Sequence, residues 1–132
     1  MDGSLVSQIW RDVSDRVGDD LRVVTWYEPL DFETKMREDV RTQYSSTDDS
    51  SIIDDTILSQ LVVADTEDSF KTGELQGIVR IFDDAWILAW PDVHSNKSGV
   101  IISIQRDSEQ TSMADIEWCV EYLDEEVAPL VG

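Results

Sequence analysis

Leu75 to Gln105 reads LQGIVRIFDDAWILAWPDVHSNKSGVIISIQ, and this stretch decides the fold. Branched and aromatic side chains dominate LQGIVRIF, and such residues suit a pleated, half-buried surface. Asp83-Asp84 makes a two-residue turn, AWILAW runs on to Pro91-Asp92, and GVIISIQ follows a polar loop. Three consecutive strands result. Val79 and Ile81 oppose Ile78 and Phe82 across the pleat, and Trp86, Leu88 and Trp90 oppose Ile87. A sheet apolar on both faces is covered on both faces, by helices or by a partner chain.

Outward from this unit, helices and strands alternate in blocks. Ser4 is placed to cap a first helix in which Leu5, Val6, Ile9, Trp10, Val13 and Val17 share one face, ended by Gly18-Asp19-Asp20. Leu21 to Tyr27 reads as a strand, Glu28 to Asp31 as a turn, and Phe32 to Val40 as a half-exposed strand hairpinned to the first. After a serine-rich loop, Ile53, Ile57 and Leu61, flanked by Ile52, Leu58 and Val62, predict a second amphipathic helix. Asp48, Asp49, Asp54 and Asp55 stand near its N-terminus, where the helix dipole favours anions. Thr66 to Lys71 adds a short helical turn before Gly73. Ser112 caps a last helix through Met113, Ile116, Val120, Leu123 and Val127, which Pro129 stops. The expected fold is α+β: one domain over residues 1–132, with a single five-stranded antiparallel sheet and helices on both faces. The predicted order is α-β-β-α-β-β-β-α.

Composition bounds the surroundings. The chain has 132 residues, 41% of them hydrophobic, so a core is affordable. Twenty-nine acidic residues face ten basic ones, a net charge of -19, and only three of the bases are lysines. Such a chain repels itself in dilute buffer, and molar salt screens that repulsion to within about 3 Å. The reading is a halophilic protein of a salt-accumulating cytoplasm. Direct nucleic-acid binding is not expected, because phosphate contacts need a basic patch. One cysteine, Cys119, excludes an internal disulfide and suits a reducing compartment. MDGSLVSQIW lacks a basic region followed by an apolar run, and no stretch approaches roughly 18 apolar residues, so no signal peptide or membrane span is expected.

The order of elements resembles the roadblock/LC7 domain, a small profilin-like fold. The likeness is most specific in LQGIVRIF with its charged turn, in Ala89-Trp90-Pro91-Asp92, and in Ile102-Ser103-Ile104-Gln105. The chain departs from that pattern in a more charged first strand pair, a longer Arg41–Gly73 segment and a longer last helix. The resemblance implies a non-enzymatic homodimer with a sheet continuous across two chains, a platform for small GTPases, motors or signalling complexes. The implied dimer surface is Ile53, Ile57, Leu58 and Leu61 with Ile78, Arg80 and Phe82. IIDDTILSQL and GELQGIVRIFDDAWILAWP are also similar to short haloarchaeal proteins of no assigned activity.

Residues that carry chemistry are few. His94 stands alone in a polar loop without a nucleophile pattern, and reads as a surface residue. Cys119, between Trp118 and Val120, reads as a structural thiol, since Glu117 and Glu121 oppose a thiolate. One histidine and one cysteine do not make a zinc site. The runs at Asp48 to Asp55 and Asp65 to Asp68 lack the spacing of a calcium loop. With no glycine-rich phosphate loop either, no cofactor, metal or catalytic residue is expected. All five tryptophans read as core by default, Trp10 and Trp118 on helices and Trp86 and Trp90 on one strand face; Trp26 or Trp90 would instead anchor an interface if exposed. Two other readings stay open. An acidic mimic of nucleic acid would align its carboxylates on one face, and a ligand sensor would hold a pocket between the sheet and the last helix.

Overall fold

The computed structural model describes residues 3–28, 31–43, 52, 76–92 and 95–130. Helix α1 (Gly3–Val17) leads through a tight turn into β1 (Leu21–Glu28) and β2 (Asp31–Met36), followed by the one-turn α2 (Glu38–Arg41). Strands β3 (Ile78–Ile81), β4 (Ala85–Asp92) and β5 (Ser95–Gln105) come next, then α3 (Met113–Tyr122). The five strands among the described residues form one antiparallel sheet in the order β2-β1-β5-β4-β3. The fold is α+β, as the sequence predicts.

Periodicity explains why the first face of this sheet is the core. Val24, Trp26, Trp86, Leu88, Trp90, Val100, Ile102 and Ile104 alternate along three neighbouring strands and are buried together. Leu5, Val6, Ile9, Val13 and Val17 of α1 close over them, with Ile116, Cys119 and Tyr122 of α3. On the second face Tyr27 and Ile101 are buried, and Phe32 and Ile87 pack against them. At Gly99 a side chain would meet the Trp90 carbonyl, with Pro91 Cα at 2.8 Å and Tyr27 Oη at 2.9 Å, so three strands approach closely only because nothing projects there.

The turn after α1 is fastened by side chains from a remote loop. Gly18 takes a φ of 62°, a left-handed conformation that costs glycine little. Gln110 Nε2 donates to the Val17 carbonyl at 2.8 Å, satisfying a helix-end acceptor. Asp20, 5% exposed, accepts from Ser108 Oγ at 2.5 Å and Thr111 Oγ1 at 2.7 Å. Removing that carboxylate leaves the buried Thr111 hydroxyl unpaired. Asp20→Ala is expected to cost about 2 kcal/mol in denaturant unfolding, and Asp20→Asn less, since an amide oxygen still accepts.

Three boundaries differ from expectation. β2 stops at Met36 rather than running on to Val40, because Arg37 diverts the chain. Its backbone N–H donates to Arg22 O at 2.9 Å, while its guanidinium grips Asp39 at 2.6 Å and Asp19 O at 2.7 Å. Val40 is then buried from α2, 1% exposed, instead of from a strand face. The helix predicted from Ser4 already begins at Gly3. The last helix keeps α geometry only to Tyr122, behind its Ser112–Asp115 capping box. It then widens over Leu123–Val127 and tightens over Ala128–Leu130, with Leu123, Val127 and Ala128 all buried. In addition, β5 starts at Ser95, paired to Asp92, so the polar stretch joins the ladder. The helix predicted through Ile53, Ile57 and Leu61, and His94, lie outside the described residues.

Candidate functional site

The sheet has two edges of opposite character. Along β2 the residues alternate between half-buried Phe32, Thr34 and Met36 and exposed Asp31, Glu33 and Lys35. Charges on an edge discourage pairing with another chain. The β3 edge has no such guard. Val79 is 37% exposed, Ile81 57% and Phe82 53%, with Arg80 the only charge in the strand. Val79 and Ile81 continue onto a groove of about 550 Å3, whose far wall is Met113, Ile116 and Val120 of α3. Met113 itself is exposed. Of the expected dimer residues, Ile78 is half-buried and Arg80 and Phe82 are exposed on this edge, whereas Ile53, Ile57, Leu58 and Leu61 lie outside the described residues. Sequence reading placed Val79, Ile81 and Met113 on covered apolar faces, because alternation alone does not say which apolar side chain a neighbouring helix fails to cover.

The second face of the sheet carries a different feature. A cavity of about 620 Å3 is bordered by Arg22, Arg80, Ile87, Ile101 and Phe82, with Asp83 and Asp84 on its rim. A smaller notch of about 90 Å3 adjoins it, sharing Arg22, Ile87 and Ile101 and adding Phe32 and Thr25. Arg22 reaches this face through a bulge: Leu21 pairs with Ile104 and Val23 with Ser103, so Arg22 is the extra residue. Its Nη1 donates to Ser103 Oγ at 2.9 Å.

Among the described residues, Cys119, Tyr122 and Asp115 are locked into structure. Cys119 is fully buried, and burial pushes its thiol up to about 12. It is expected to resist a disulfide reagent such as dithiobisnitrobenzoate at pH 8 until the chain unfolds; rapid labelling of the native protein would contradict its placement. Tyr122 donates to Asp12 Oδ2 at 2.7 Å and stacks on Trp118 at 5.3 Å. Burial, and then that carboxylate, hold its hydroxyl well above the ordinary tyrosine range. Asp115 is held below the usual carboxylate range by the Ser112 backbone N–H, with Arg16 at 2.9 Å adding to it. Trp26 and Trp90 are 3% and 7% exposed, which makes both core residues. Among the described residues no three histidine, cysteine, aspartate or glutamate side chains gather as metal ligands, and no helix is long and apolar enough to cross a membrane.

Both surfaces fall within one matched family. Residues 7–126 fit the model of the "Domain of unknown function (DUF7522)". The chain belongs to this family. The match runs from within α1 to the turn after α3, so the β3 edge and the arginines of the second face are inside the family's domain. No curated protein matches the chain.

Proposed function

We propose that this chain is a non-enzymatic interaction module, a homodimer joined along β3, that serves as an adaptor or regulator in a salt-rich cytoplasm. One observation carries the reading: among the described residues β3 is an edge strand whose Val79 and Ile81, with Phe82 just beyond it, are exposed, while the opposite edge is guarded by charge. Antiparallel pairing of β3 with β3 across a two-fold axis makes one ten-stranded sheet and covers Val79 and Ile81 in both copies. The roadblock/LC7 resemblance points to the same edge.

The distribution of charge favours an adaptor over a mimic of nucleic acid. Exposed acids stand on every side: Asp15 and Asp19, Asp31 and Glu33, Asp83 and Asp84, Asp107 and Glu109, Glu117 and Glu121, and Asp124 to Glu126. Carboxylates spread in this way keep a surface hydrated at high salt and do not trace a phosphate backbone. Light scattering coupled to size exclusion tests the reading. The expected mass in molar KCl is twice 15.0 kDa, with dissociation or unfolding in dilute buffer; a compact monomer indifferent to salt would sink it.

A further inference from the structure

We infer that the second face of the sheet is a binding site for a small amphiphilic anion, a carboxylate or phosphate ester on a short apolar body. The starting point is how this acidic chain uses its arginines. Arg11, Arg16 and Arg37 each pair with a carboxylate, and Arg106 lies over Trp86 and donates to the Phe82 carbonyl. Arg22 and Arg80 do otherwise. Among the described residues no carboxylate lies within ion-pair distance of either, although acids outnumber bases almost threefold. A guanidinium presents five N–H donors, and Arg22 spends one on Ser103.

Strand register places the two arginines on the same face of the sheet. Val23 pairs with Ser103, Ser103 with Ile87, and Ile87 with Arg80, which makes one row across the second face. Three inter-strand steps of about 4.8 Å separate the ends of that row, roughly 14 Å. Both arginines line the same cavity of about 620 Å3. Without the bulge Arg22 and Val23 would lie on opposite faces; with it, both join this row. Bulges serve to re-aim a side chain in this way.

The floor between the arginines suits an apolar body. Ile87 and Ile101 line the cavity and run on into the notch, where Phe32 adds an aromatic wall. Ser103, 4% exposed, accepts from Arg22 and holds its guanidinium in place. Cavities of about 300 to 1,000 Å3 are typical of small-ligand sites, and this one sets apolar Ile87 and Ile101 beside polar Arg22, Gln43 and Arg80, a mixed lining that suits an amphiphile. Asp83 and Asp84 are exposed at the rim, where solvent and salt screen their repulsion of an anion. All the groups invoked belong to one chain, so the site does not depend on pairing through β3.

Isothermal titration of the full chain in molar KCl tests the site with four probes: hexyl phosphate, hexanoate, hexanol and inorganic phosphate. At least one of the two amphiphilic anions is expected to bind one per chain, at least tenfold tighter than hexanol or inorganic phosphate. Arg22→Gln and Arg80→Gln are each expected to weaken that anion tenfold or more and to leave hexanol unchanged. Arg80 is exposed, so its variant keeps the test valid should Arg22→Gln fold poorly. Anions that bind no tighter than hexanol would overturn the inference, as would inorganic phosphate matching hexyl phosphate, or affinity unmoved in a folded variant. Scattering on the same samples separates this result from dimerisation: Arg22→Gln is expected to leave the mass unchanged.

Discussion

Leu88→Ala is expected to lower the unfolding free energy by about 3 kcal/mol. Leu88 sits in β4 between Ile102 of β5 and Val79 of β3, and none of its surface reaches solvent. On the same face Trp86 and Trp90 flank it, and both are buried. Large rings anchored in a sheet do not slide inward to fill the space of three lost carbons. The cost is therefore the transfer term plus most of a cavity term. Against a total stability of about 5 to 15 kcal/mol, that is a substantial share. Leu130→Ala supplies the contrast: it lies off the proposed interface and is 52% exposed, so the change should stay within about 0.5 kcal/mol. Denaturant titration in molar KCl reads both. The Leu88 variant should move the midpoint without changing the slope, and a loss under about 1 kcal/mol would mean that the layer repacks.

Ile81→Lys is expected to convert the proposed dimer to a folded monomer. In β3-to-β3 pairing Ile81 is buried twice, once in each copy. Losing an apolar side chain worth at least about 1.5 kcal/mol at two symmetric positions removes about 3 kcal/mol, a dissociation constant about a hundredfold higher. A lysine on an open edge is also a common natural guard against strand addition. Glu33→Lys on the β2 edge is the control and should leave the mass unchanged. The measurement is mass against concentration in molar KCl, with circular dichroism to confirm folding. A variant that stays at twice 15.0 kDa would place the interface elsewhere on the molecule.

Elements that repeat at a fixed period were legible in the residue order. Helix α1 was legible in Leu5, Ile9, Val13 and Val17, and the three-strand unit in the alternation of Trp86, Leu88 and Trp90 with Ile87. Burial on one side imposes those periods, so they survive in the residue order. Local spacing also foretold Ser112 as the cap of the last helix; its partner Asp115 was seen only in the structure. The end of β2 was not legible, because Val40 continues the alternation while Arg37, bonded to Arg22, Asp39 and Asp19, turns the chain into α2. Strand order was likewise beyond reach. Only tertiary structure made β3 an edge, and thereby turned Val79 and Ile81 from presumed core into exposed surface. The bulge that re-aims Arg22 depends on its pairing with β5, as the clamp on Asp20 depends on Ser108 and Thr111 far along the chain. Period is a local property of the chain, whereas an edge, a bulge or a buried carboxylate exists only once distant segments meet.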